Sequence, residues 1–139
     1  MPFKNFKKRF PEGTYKFRGE TIKGQKLRGS ERFSHTIPDQ PNITSPAEDA
    51  DVSSGGFKIT WDPVPGPSGI KIVGYIAIVT VESKKVSKIR ELQMELPATA
   101  TSATVPGEFL AAGVETHIEV VTKAKNGNLT ITEHNVNVQ

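Results

Sequence analysis

Three histidines, His35, His117 and His134, are the side chains whose ordinary pKa puts a change of charge near neutrality. Two of them, His117 and His134, fall with Glu115, Glu119 and Glu133 in the last two alternating segments, which raises a metal or proton-transfer site across that hairpin. Such ligands must converge on one point. Counting outward from the Asn126-Gly127 turn by equal steps sets His117 nearest position 136 rather than 134, a loose diagonal, so no metal ligands are assigned. The run Glu48-Asp49-Ala50-Asp51 lacks the ligand density and turn glycine of a calcium loop. No Gly-rich phosphate loop, Gly-x-Ser-x-Gly elbow or His-Glu-x-x-His pattern is present, and there is no cysteine. No catalytic residue and no cofactor is assigned, and an enzyme is not expected.

Charge offers a second kind of chemistry. Residues 1–32 carry ten Lys or Arg against three Glu, a balance of +7, while the remainder carries eight against twelve, or −4, which together give the net +3. A basic arm therefore precedes an acidic body, a pattern that suits contact with a polyanion or an anionic membrane, or else a solvated chain end. The interleaved "FKNFKKRF" could hold phosphates or headgroups by charge while Phe3, Phe6 and Phe10 insert or stack. Lys4, Lys7, Lys8, Arg9, Lys16 and Arg18 are the candidate polyanion-binding residues.

Residues 13–38 alternate polar and apolar on both sides of Lys23-Gly24-Gln25, which predicts a β-hairpin, with Gly19 and Gly29 as sites of a bulge or a close backbone approach. An isolated hairpin is marginal in water, so this one is expected to lean on the body or on another chain. The stretch "IPDQPNITSPAEDADVSSGG", with Pro38, Pro41 and Pro46, reads as a linker running into an edge strand. Domain bounds of 1–40 for the arm and 41–139 for the body follow.

In the body, Phe57, Ile59 and Trp61 share one strand face, and prolines 63, 65 and 67 stop the strand. The next run offers Ile72, Tyr75, Ala77, Val79 and Val81, with Ile76 and Ile78 making the opposite face apolar as well, a candidate interaction surface. Segment 85–97 alternates through Ile89, Leu92, Met94 and Leu96, and a threonine-rich strand ends at Pro106-Gly107; both suit sheet edges. Val114, Thr116, Ile118, Val120 and Thr122 then alternate with Glu115, His117, Glu119 and Lys123. About seven short strands with regular turns predict an all-β sandwich of two antiparallel sheets.

Over residues 41–139 the chain resembles a fibronectin type III domain, an immunoglobulin-like sandwich. The likeness rests on "ITWDPV", on Gly74-Tyr75 opening the next strand, and on "SATVPGEFLAAGVETHIEVVTKA". It implies that Trp61 and Tyr75 pack between the sheets. Thr116 and Ala112 stand where the family has its corner tyrosine and corner proline, so that hydroxyl-to-backbone bond is missing. The turn "KNGN" lacks the family's Arg-Gly-Asp, and "RGE" at Arg18 to Glu20 ends in the wrong acid, so integrin binding does not follow. Residues 1–40 lie outside the resemblance.

The expected role is a non-catalytic interaction or spacer module of a larger extracellular or cell-surface protein, contacting a protein or a glycan; the alternative is polyanion or anionic-membrane binding through the arm. Nucleic acid is not an expected partner. No apolar run reaches the ~18 residues of a membrane-spanning helix, and the first residues lack the apolar core of a secretory signal. The expected location is extracellular, periplasmic or at the cell surface, with the signal cut away or the chain an excised module. Self-association through the hairpin or the Ile76 and Ile78 face is expected if that apolar face is open, and removal of residues 1–40 should then destabilise the body or change its assembly. Asn42 and Asn128 match the glycosylation acceptor pattern.

Overall fold

The computed structural model describes residues 1–66, 69–82 and 89–139; Pro67 and the first four residues of segment 85–97 lie outside them. Contacts divide the chain into two units, Met1–Ile37 and Pro38–Gln139.

The first unit holds α1 (Phe3–Arg9), β1 (Gly13–Glu20) and β2 (Lys26–Phe33). The two strands pair antiparallel without a break from Gly13 opposite Phe33 to Glu20 opposite Lys26. Gly19 and Gly29 thus form no bulge, and a Cβ on either would meet nothing within 4 Å. In the ladder Gly19 stands opposite Leu27 and Gly29 opposite Phe17.

The helix, absent from the expectations above, follows from Phe3, Phe6 and Phe10, whose spacing places them along one side. Lys7, Lys8 and Arg9 in its last turn complement the negative end of the helix dipole. Phe6 is half-buried, its ring 5.1 Å from Phe10 and 6.2 Å from Phe33. Tyr15 and His35 complete this cluster, with ring centroids 5.8 and 5.3 Å from Phe33. Hydrogen bonds tie its edges: the Tyr15 hydroxyl donates to the Pro11 carbonyl at 2.9 Å and His35 Nε2 to the Phe10 carbonyl at 2.7 Å.

Among the described residues the second unit contains eight strands: β3 (Ile43–Ser45), β4 (Ala50–Val52), β5 (Gly56–Trp61), β6 (Ile72–Val81), β7 (Arg90–Pro97), β8 (Ser102–Pro106), β9 (Glu115–Ala124) and β10 (Leu129–Val138). One sheet runs β3-β5-β8 and the other β4-β10-β9-β6-β7. The expected linker is therefore largely sandwich. Residues 43–45 edge the small sheet, whereas residues 50–52 pair in parallel with β10 in the large one. Pro38, Pro41 and Pro46 are buried, and side chains of β10 satisfy the carbonyls there: Thr130 Oγ1 donates to Asp39 at 2.9 Å and Thr132 Oγ1 to Pro41 at 2.6 Å. Proline removes the N–H that a ladder needs but leaves the carbonyl free to accept.

Between the sheets lies a continuous apolar core built from Ile59, Trp61 and Val105 on one side and Tyr75, Val79, Ile118, Val120 and Val136 on the other. Trp61 is 2% exposed, and its ring centroid stands 5.5 Å from that of Tyr75. The Tyr75 hydroxyl accepts the Val64 N–H at 2.8 Å, which fastens the proline-rich loop to the core. Thr116, at the family's corner-tyrosine position, is fully buried, its Oγ1 donating to Val114 O at 3.5 Å. A register shift between Ile72 and Gly74 lets Ile72 and Tyr75 both reach the core. Gly74 is required there, since a Cβ would come within 2.7 Å of Leu96 O. On β7 the inward row is Arg90, Leu92, Met94 and Leu96, and Ile89, expected to alternate with them, is 65% exposed.

Candidate functional site

Strand alternation splits the hairpin into two chemically distinct faces. On one, Lys16 and Arg18 of β1 lie among Arg32, Ser30, Arg28 and Lys26 of β2, and Arg18 stands directly opposite Arg28. Five cations share this face with one acid, Glu20. The other face carries Tyr15, Phe17, Leu27 and Phe33. An open concavity is lined by Lys16, Phe17, Arg18, Arg28, Gly29 and Ser30.

Since Phe6 of α1 contacts Phe33, the helix lies on the apolar face, so the six candidate cations form two groups. Lys4, Lys7, Lys8 and Arg9 sit on α1, while Lys16 and Arg18 face the opposite way. Lys7 Nζ is 4.5 Å from the Phe3 ring centre and the Arg9 guanidinium 5.7 Å from that of Phe10. Arg28, Lys26 and Arg32 join Lys16 and Arg18 only through the cross-strand register, which sequence alternation alone did not supply. Glu12 anchors the unit: its carboxylate accepts the His35 N–H at 2.6 Å and the Ser34 hydroxyl at 3.1 Å. These bonds, the backbone one foremost, hold its pKa below the usual carboxylate value.

The outward face of the five-stranded sheet has the opposite sign. One row across β7, β6, β9 and β10 reads Glu95, Ile76, Val121, Ile131; the next reads Gln93, Ile78, Glu119, Glu133; the third reads Glu91, Thr80, His117, Asn135. Ile76 and Ile78 are half-buried among these neighbours, and Val121 is 2% exposed although it lies outside the core. Lys123 Nζ pairs with Glu95 Oε2 at 2.6 Å. Partial burial, then the charges of Glu133 and Glu91, push the Glu119 pKa up.

His117 and His134 are on opposite faces. His117 is opposite Asn135, and its Nδ1 lies 3.5 Å from Glu133 Oε1 on the outer face; His134 Nδ1 donates to the Pro46 carbonyl at 3.0 Å. The equal-step count failed by one residue because the turn is a three-residue loop, 125–127, in which Gly127 (φ 86°) donates to Ala124 O at 3.0 Å. A shift of one residue moves a side chain to the other face of a sheet. Among the described residues no group of three or more His, Asp or Glu could hold a metal ion. Glu48 is engaged by Asn135, which donates from Nδ2 at 2.9 Å, and Asp51 by Gln139 Nε2 at 2.9 Å. Asn42 is exposed, with Nδ2 donating to Asp62 Oδ2 at 2.6 Å. No described helix is long and apolar enough to cross a membrane.

No protein-family model matches the sequence, and no curated protein matches it either. Among solved structures, the third fibronectin III domain of the human KIAA0343 protein is similar, with 20% identity, 75% of this chain and 85% of that one covered, and a TM-score of 0.53. The superoxide reductase (neelaredoxin) from Ignicoccus hospitalis matches with 15% identity, 74% and 82% coverage and a TM-score of 0.48. The fn3 domain of human collagen alpha-1(XX) chain matches with 14% identity, 77% and 91% coverage and a TM-score of 0.46. The likeness to the first shows the fold: the chain carries an all-β, fibronectin type III-like sandwich. The other two likenesses are too slight to bear on activity.

Proposed function

We propose that the chain is a non-catalytic interaction and spacer module of a larger extracellular or cell-surface protein, with the sandwich as a rigid mount and charged sheet faces making contacts with protein or glycan. The observation that supports this reading is the hairpin face on which Arg18 is set directly opposite Arg28. Like charges in register weaken a hairpin, so a face that repeats them suits an anionic partner more than the stability of the hairpin itself. The full chain should be retained on immobilised dextran sulfate, a sulfated glycan stand-in, but not on neutral dextran, with affinity falling as salt rises. Equal retention on both matrices would contradict it.

The alternative, anionic-membrane binding through the arm, draws on α1, where Phe3 and Phe10 are 51% and 39% exposed beside Lys4, Lys7, Lys8 and Arg9. Cations beside exposed rings suit a headgroup layer. Co-flotation with phosphatidylserine vesicles, absent with phosphatidylcholine vesicles and lost on removal of residues 1–32, would favour it over a soluble glycan.

A further inference from the structure

The two charged faces are complementary to each other. On the hairpin, Lys16, Arg18, Lys26, Arg28 and Arg32 outnumber Glu20; on the five-stranded sheet, Glu91, Glu95, Glu115, Glu119 and Glu133 outnumber Lys123 and His117. Each face also holds a like-charged pair in direct register, Arg18 with Arg28 and Glu119 with Glu133. We propose that the cationic hairpin face of one molecule docks on the acidic outer sheet face of a second copy. This rests on reading the chain as an interaction module and names its partner.

Size and chemistry agree with that occupant. Eight residue pairs make a hairpin ladder of about 27 Å, and the ten-residue strands β9 and β10 give a bed of about 34 Å, at roughly 3.4 Å per residue. Charges two residues apart recur about every 7 Å along any strand, so the two faces share one repeat. Between the acids, half-buried Ile76 and Ile78 offer an apolar strip for the aliphatic stems of Arg18 and Arg28. An apolar centre ringed by charge is ordinary interface anatomy. Because the surfaces differ, the contact is heterologous, and copies join head to tail into a ring or an open chain.

Sedimentation velocity of the full chain tests this at about 50 mM and about 500 mM salt, where screening differs strongly. Species larger than a monomer should appear with rising concentration at low salt and dissolve at high salt. The Arg18→Glu, Arg28→Glu variant and the Glu91→Lys, Glu119→Lys variant should each be monomeric, and their equimolar mixture should associate again, since each supplies the sign the other has lost. A monomer under all conditions, association that survives either reversal, or a mixture that stays apart would overturn the proposal. If a reversal variant loses its circular dichroism spectrum, Arg18→Gln and Glu119→Gln replace it, each expected to weaken association several-fold; unchanged association would again be contradictory. Retention on dextran sulfate separates the two readings: the hairpin variant should lose it and the sheet variant keep it. A chain that is always monomeric yet retained overturns docking between copies and leaves the interaction module standing.

Discussion

The sandwich and the hairpin unit are both β-structure, yet they are held together by different means. In residues 38–139 the strands enclose an interior shared by two sheets, where Trp61, Tyr75, Ile59, Val79 and Ile118 are nearly or wholly removed from water. In residues 1–37 a two-stranded ribbon has one face against a short helix and a small ring cluster, and Phe17, Ile22 and Leu27 remain 60%, 105% and 53% exposed. A sheet with a packed inner face tolerates an acidic outer face, because core burial dominates its stability. The ribbon has no such reserve. Its run of cations therefore weighs more heavily on it, which is why that face draws attention as a contact surface.

Trp61→Ala should break the comparison most forcefully. Removing the indole from the joint between the sheets is expected to cost about 3–5 kcal/mol, enough to unfold the sandwich of a marginal domain, and urea unfolding would show it. Tyr75→Phe comes next: it keeps the ring but leaves the buried Val64 N–H without its acceptor, at roughly 1–3 kcal/mol. Phe6→Ala acts on the other region, where it removes ring contacts worth about 0.5–1.5 kcal/mol each. It should abolish α1, read as lost amide protection in residues 3–10, with β5, β6 and β9 unaffected.

The two shifted carboxylates sharpen the contrast through pH. Glu12 has a lowered pKa, so its bonds to His35 and Ser34 stabilise the first unit above the ordinary carboxylate pKa and are lost as pH falls through the folded value. Glu119 has a raised pKa, so the unfolded chain releases that proton first and stability declines as pH rises from the ordinary value to the raised one. Glu119→Gln should accordingly stabilise the sandwich by a few tenths of a kcal/mol at neutral pH, with the gain vanishing below about pH 4. Melting curves at both pH values would register it; a gain that persists in acid would contradict the assigned cause.

Alternation was legible where one face is buried. Phe57, Ile59 and Trp61 face inward as their spacing says, as do Val114, Ile118 and Val120 with Thr116 and Thr122. Register was less legible, because it depends on turn geometry: the 125–127 loop displaced the hairpin pairing by one residue and separated His117 from His134. For the same reason Arg28 could not be set against Arg18 until the β1–β2 ladder was known. The helix left a signal in Phe3, Phe6 and Phe10, but the interleaved lysines read equally as a binding tract. The prolines at 38, 41 and 46 suggested a linker because proline weakens ladders, whereas here β10 side chains bond the carbonyls along that stretch.

Hydrogen exchange followed residue by residue tests most directly whether one region is core-held and the other surface-held. Amides of β6 and β9 should exchange only on global unfolding, and those of residues 13–33 should exchange orders of magnitude faster through local opening. Protection in β1 and β2 equal to that in β6 and β9 would contradict the account.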